Sequence, residues 1–228
     1  MTPINAVSLT GPGGQEALQT GKTMAWRARL SLIPVLAAAC LLLTATGPSR
    51  AATFVLDRDH TEVRASWDHL GLSRQSARFN DVVGRVTFSP DNPEQSTVDV
   101  TIKVDSVSTG VAALDKHLTG STDFFDVQRH PNITFKSRSV TMTSPKTANI
   151  EGDLTINGIT KPATLSAVWN FLGEHPLANV NPVYKDVEAA GFSARTQILR
   201  SEWGITRTIP LVSDEIRITI EVEMLKRP

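Results

Sequence analysis

The sequence predicts an all-β protein of about eight antiparallel strands, either closed into a barrel or paired as a sandwich. Three observations lead there. From residue 53 onward apolar and polar side chains alternate with a period of two, and clusters of Pro, Gly, Asn, Asp and Ser interrupt the alternation at short intervals. A single segment, Val111 to Leu118, suits a helix. Strands with one apolar face bury it only against a second sheet or by curling the sheet onto itself.

The first fifty residues form a different kind of segment. Met24-Ala-Trp-Arg27-Ala-Arg29 is a short basic stretch, Leu30 to Leu43 an apolar run, and Ser49-Arg50-Ala51-Ala52 a small-residue exit. That order is the layout of a secretory signal peptide cleaved near Ala51 or Ala52, which predicts a periplasmic protein. Residues 1–23 precede the basic stretch and read as a non-native extension, with Met24 the true start; residues 24–52 are the signal peptide and 53–228 the folded domain. A retained anchor is the competing reading. Leu30 to Thr46 barely reaches the minimum of about 17 residues that spans a bilayer, and Pro34, Thr44 and Thr46 interrupt it, so stable membrane insertion after cleavage is not expected. Cys40, the only cysteine, lies inside the apolar run with Ala37 three residues before it. An acylated-cysteine leader is therefore disfavoured, and the mature chain depends on its core without disulfides.

The strands follow in order. Val63-Arg-Ala65-Ser-Trp67, Val82 to Phe88, Val98 to Val104, Ile133 onward, Ile150 to Ile156, Ala163 to Trp169, Phe192 to Ile198 and Ile216 to Met224 all place apolar residues at every second position. Ser89-Pro90-Asp91-Asn92-Pro93, Ser144-Pro145, Asn157-Gly158 and Ser213-Asp214 mark turns between them. Asn157-Gly158 is the strongest hairpin signal, because a type I′ turn needs positive φ at both central residues. Two connections are long: Ser106 to Pro131, which holds the predicted helix, and Gly173 to Ala190, a polar excursion.

Charge and motifs narrow the function. Loss of residues 1–52 removes Lys22, Arg27, Arg29, Arg50 and Glu16 from totals of 23 basic and 23 acidic residues, leaving 19 and 22 and a net charge of −3. No basic face for nucleic acid follows from that balance. His60, His69, His117 and His130 lack the spacing of a metal site, and no HExxH, P-loop, GxGxxG or Gly-x-Ser-x-Gly stands in the mature chain, so neither metal nor cofactor is expected. No catalytic residue is assigned. An acid–base pair of His117 with a nearby Asp is the lesser alternative.

A barrel of eight strands has an interior either filled by side chains or able to hold one small ligand. Small residues at inward positions, Ala65, Gly84, Gly152, Ala163, Ala167 and Ala194, leave room for a ligand or merely fit the taper of a filled barrel.

Asp59-His60-Thr61, His69-Leu70-Gly71, Phe79 with Gly84, Asp105 to Thr109, Lys116-His117-Leu118, Asp123-Phe124-Phe125-Asp126 with Pro131 and Phe135, Gly152 to Pro162, and Gly191-Phe192 together resemble the YceI-like family of exported bacterial proteins. The resemblance implies a lipocalin-like antiparallel barrel of about eight strands, with one short helix in a long connection, that binds a polyisoprenoid or similar amphiphile without known catalysis. The sequence departs from the family at Leu114, where Arg is common, at Ala77, where Gly is usual, and in the long segment 174–189.

On this basis the apolar cavity and its lid are assigned to Trp67, Phe79, Phe88, Phe124, Phe125, Phe135, Leu154, Ala167, Trp169 and Phe192. Phe124 and Phe125 are expected to turn inward as a lid while Asp123 and Asp126 face water or cap backbone amides; an ordinary plug is the alternative. Lys116, His117, Arg129 and His130 are candidate headgroup contacts at the rim or plain solvated charges. The expected partner is an amphiphilic lipid, with a homodimer left open. The rival class is a secreted stress or interaction protein with a filled barrel.

Overall fold

A computed structural model describes residues 51–226. The expected extension 1–23, Cys40 and all but the last two residues of the expected signal peptide 24–52 lie outside the described residues.

Ten strands follow one another: β1 (Ala52–His69), β2 (Ser73–Phe79), β3 (Val82–Phe88), β4 (Thr97–Lys103), β5 (Val107–Ser108), β6 (Asn132–Ser144), β7 (Thr147–Ile156), β8 (Ile159–Glu174), β9 (Glu188–Leu199) and β10 (Glu215–Lys226). Among the described residues one α-helix, α1 (Ala112–Gly120), lies between β5 and β6. The sheet order is β10-β9-β8-β7-β6-β4-β3-β1-β2-β5, and β10 also pairs with β1, which closes the sheet into a barrel. Every pairing is antiparallel.

Ten strands make eight staves because two staves are bent. The C-terminal half of β1, Val63–His69, pairs with β2, while its first residues, Ala52–Val55, pair with β3. Residues 73–88 therefore act as one stave. In the same way β4 lies along β3 and β5 along β2, so residues 97–108 act as another.

A bulge interrupts the alternation near the start of β1. Leu56 pairs with Met224 and Thr61 with Val222, so four residues, Asp57 to His60, stand opposite Glu223 alone. A bulge bends its strand and changes which side chains face inward. Even-numbered Phe54 and Leu56 are buried before it, and odd-numbered Thr61 and Val63 after it. Without that change of phase, one half of β1 would turn its apolar residues to water.

The Asn157-Gly158 turn joins β7 to β8 with φ of +49° and +74°, the backbone the sequence predicts there. The segment between β8 and β9 contains a short 3₁₀ turn, Pro182–Tyr184, and a face-to-face stack of His175 on Tyr184 with centroids 3.8 Å apart. At the opposite end of the barrel a second 3₁₀ turn, Arg200–Trp203, buries Trp203, whose indole N–H donates to the Leu154 carbonyl at 3.2 Å. Among the described residues no helix is long and apolar enough to cross a membrane.

Candidate functional site

Inward side chains from the staves surround a cavity of about 690 Å³. Its wall is almost wholly hydrocarbon. Trp67, Phe79, Phe88, Phe124, Phe125, Phe135, Leu154, Ala167, Trp169 and Phe192 all lie on it. They gather at both ends. Phe88 meets Trp169 at 5.0 Å and Phe192 at 5.2 Å, each edge to face, at the end holding the β6–β7 turn. At the α1 end Phe125 meets Phe79 at 6.2 Å and Phe124 meets the His117 ring at 5.0 Å.

The small inward residues divide into two groups. Ala65, Ala167 and Ala194 face the cavity. Gly152 instead admits the Phe135 ring, since a Cβ there would lie 2.5 Å from Phe135 Cζ. At Gly84 the Asp99 carbonyl oxygen of the next strand would lie 2.6 Å from a Cβ, and Ala163 packs among core side chains. Three of the six thus open space.

The Asp-Phe-Phe-Asp segment is held by backbone and side-chain bonds that aim both rings inward. The Phe125 amide donates to the Leu118 carbonyl at 3.1 Å, and Asn157 donates from Nδ2 to the Phe124 carbonyl at 2.6 Å. Asp126 is buried and accepts from the Arg129 amide at 3.3 Å and from Arg129 Nε at 2.5 Å. The Arg129 hydrogen bond holds the Asp126 carboxyl below the usual carboxylate range. Asp123 faces solvent and pairs with Arg207 at 2.6 Å.

The four basic rim candidates separate. His117 lines the cavity. Lys116, Arg129 and His130 do not: Lys116 is on the exposed side of α1, Arg129 folds back onto Asp126, and the His130 ring lies against Gly158. Spacings of three and four put Leu114, His117 and Leu118 on one face of α1, and Lys116 falls off it. Sequence reasoning missed His69, Gln75, Lys146, Thr208 and Arg200, which also reach the wall. Lys146 hangs over the Trp169 ring at 6.0 Å. Arg200 is committed elsewhere, donating to the carbonyls of Ser213, Ile205 and Val212 at 2.9, 3.0 and 2.9 Å. Burial lowers its pKa. Leu114, at the position where the family commonly has Arg, lines the wall as one more apolar side chain.

His60, His69, His117 and His130 do not converge. Among the described residues one group of three potential metal donors does: Asp57, His60 and Glu223, with ligand atoms within 4.8 Å of one another on the β1 bulge. His60 Nδ1 is 2.9 Å from Asp57 Oδ2 and 4.0 Å from Glu223 Oε2. The Asp57 hydrogen bond raises the His60 pKa above 6.5. His60 and Glu223 are more than half exposed, and the trio is an ion-paired clasp over the bulge.

A closed antiparallel barrel of eight staves, around an apolar cavity with aromatic rings at both ends, defines a hollow lipocalin-like barrel. The chain belongs to the YceI family: the family's YceI-like domain matches residues 54–224. Protein YceI of Salmonella arizonae is 36% identical over 184 residues, covering 80% of this chain and 91% of the relative. The crystal structure of the Campylobacter jejuni YceI protein superimposes with a TM-score of 0.60 at 32% identity, covering 71% of this chain and 90% of that one. A polyisoprenoid-binding domain from Saccharophagus degradans shares the fold alone, with a TM-score of 0.56 at 8% identity, covering 78% of this chain and all of that one.

Proposed function

We propose that this protein binds one long amphiphilic lipid, a polyisoprenoid, isoprenoid quinone or fatty-acid-like molecule, in its barrel cavity after export to the periplasm. It would carry, store or report on that lipid and catalyse nothing. The single observation that carries the proposal is the cavity of about 690 Å³ with its hydrocarbon wall, since a filled barrel has no such space. The name of the Saccharophagus domain supports a polyisoprenoid, and the family supports a binding role.

The ends of the cavity suggest how such a molecule lies. An apolar tail fits between the two aromatic groups. Its polar head fits where His117 and Gln75 reach the wall at the α1 end, with Phe124 and Phe125 closing over the tail. The cavity places no paired carboxylates against a nucleophile, which favours binding over chemistry. Cleavage after Ala51 would leave β1, which begins at Ala52, whole.

Extraction of purified mature protein into organic solvent, followed by mass spectrometry, tests the proposal. About one lipid per protein is expected. An extract without stoichiometric lipid, from protein that also fails to take up an added polyisoprenoid, would remove the binding role. Export is tested separately: osmotic release should yield soluble protein beginning near Ala52 or Thr53.

A further inference from the structure

The rim of the cavity at the α1 end carries leucines that nothing in the barrel covers. Leu72 is 82% exposed, Leu211 65% and Leu70 47%. Leu70 and Leu72 stand in the β1–β2 turn, and Leu211 in the segment 204–214 between β9 and β10. These two loops form one unit: the Leu70 amide donates to the Leu211 carbonyl at 2.8 Å, and His69 bridges to Val212. Leu70 holds a φ of +57°, a left-handed backbone that costs a leucine energy and persists only where its surroundings fix it. Each exposed leucine is close in the chain to a residue of the cavity wall. His69 precedes Leu70, Val212 follows Leu211, and Thr208 of the same loop also lines the wall.

A second set of exposed apolar residues, Leu177, Val180 and Val183, lies in the connection between β8 and β9. No residue between Trp169 and Phe192 lines the cavity, so that patch has no such continuity. Among the described residues the rim at the α1 end carries the most exposed hydrocarbon within three residues of the cavity wall.

We infer that this leucine rim enters the surface of a lipid bilayer and that the cavity loads and unloads through it. The inference rests on the lipid-binding reading above, because a long hydrocarbon chain has its reservoir in a bilayer and each ångström of its path through water opposes transfer. Charge supports a bilayer entered by hydrophobic contact. The arginines that flank the leucines in the chain are already satisfied: Arg74 pairs with Asp68 at 3.2 Å and Arg207 with Asp123 at 2.6 Å. Neither of these two arginines is left for anionic headgroups; Lys116, exposed on α1, is a further cation at this end, and the leucines supply most of the attraction.

The test uses a chain beginning at Ala51. It carries every strand of the barrel from β1 to β10. Wild type and the Leu72→Ser, Leu211→Ser double variant are sedimented with phosphatidylcholine vesicles at low and high salt. Wild type is expected to partition onto the vesicles to the same extent at both salts, and the double variant about a hundredfold more weakly. Leu72→Ser alone, at the most exposed position, gives about a tenfold loss and serves if the double variant is misfolded. Failure of wild type to partition, equal partition of the variants, or binding that salt abolishes would overturn the inference. Organic extraction of the same preparations separates it from the lipid-binding reading. Lipid in the extract without vesicle partition removes the bilayer rim alone, and partition by protein that neither yields lipid nor takes up an added polyisoprenoid supports the rim while removing the cargo.

Discussion

Asn157 fastens the Asp-Phe-Phe-Asp segment to the β7–β8 hairpin: its Nδ2 donates to the Phe124 carbonyl at 2.6 Å while its Oδ1 accepts the Asp126 amide at 3.3 Å. The residue that makes the turn by adopting a φ of +49° is thus also the residue that positions the two rings at the cavity end. Gly158, next in the chain, leaves the space in which the His130 ring lies.

Asn157→Gly keeps a residue at ease with that backbone and removes only the side-chain clamp. Loss of two hydrogen bonds predicts a destabilisation of about 1–3 kcal/mol and faster loss of bound lipid. Urea unfolding beside the lipid content of purified protein reads both. Unchanged stability and unchanged lipid retention would show that the clamp is incidental.

The double change Phe124→Ser and Phe125→Ser should reduce lipid retention far more than stability. Both rings are half-buried and line the cavity, so their partners include whatever fills it. A core Phe cut to a small residue costs about 3–5 kcal/mol. A loss of that size for each ring, with lipid content unchanged, would make the segment a structural plug.

Ala167 and Gly152 both stand at inward positions and predict opposite outcomes. Ala167→Trp projects into the cavity, so the fold is expected to survive and lipid to be excluded. Gly152→Ala drives a methyl into the Phe135 ring and the Lys136 carbonyl, with an expected cost of about 1–3 kcal/mol. Melting temperature and extracted lipid, measured on both variants, check the contrast; a larger melting loss for Ala167→Trp would mean that the cavity wall is tightly packed.

The His60 clasp predicts a pH dependence. Asp57, by its hydrogen bond first, and then the charges of Asp57, Glu223 and Asp59 raise the His60 pKa in the folded chain above 6.5. A raised folded pKa gives stability fully present below the unfolded value and lost as pH rises through the folded one. The melting temperature of wild type should therefore exceed that of His60→Gln most at about pH 5.5 and least at about pH 8.5. A difference that is flat across that range would show that the imidazolium contributes nothing to stability.

Much of this barrel was legible in the sequence because a half-buried strand must alternate. Val82 to Phe88 is β3 without adjustment, and Asn157-Gly158 announces its turn through the one backbone that suits it. Where alternation has a different cause or partner, the sequence is silent. β2 reads Ser-Arg-Gln-Ser-Ala-Arg-Phe, and its inward positions Gln75 and Ala77 carry little hydrophobic signal. The β1 bulge inverts the phase within one strand, so the apolar residues before it and after it do not share a period. Among the basic residues near the helix, His117 and Lys116 are adjacent in the chain and differ only in helical phase. The arrest of Arg129 on Asp126 and of His130 on Gly158 depends on a local fold that composition does not encode. Lys146 and Thr208 reach the wall from turns at opposite ends, and no spacing marks them.

The seam of the barrel joins its first strand to its last: Phe54 faces Lys226 and Ala65 faces Ile218. A chain made from its N-terminus therefore leaves one edge of β1 without its partner until β10 has been made, and pairings this distant in sequence are the slow ones to form. Up to that moment β1 and β9 are two raw edges, and the cavity lacks the wall supplied by Ile216, Ile218, Ile220 and Val222. The interior comes into being with β10. Any cargo must arrive after β10 has been made, and a chain cut before Glu215 is an open sheet prone to pair with its neighbours.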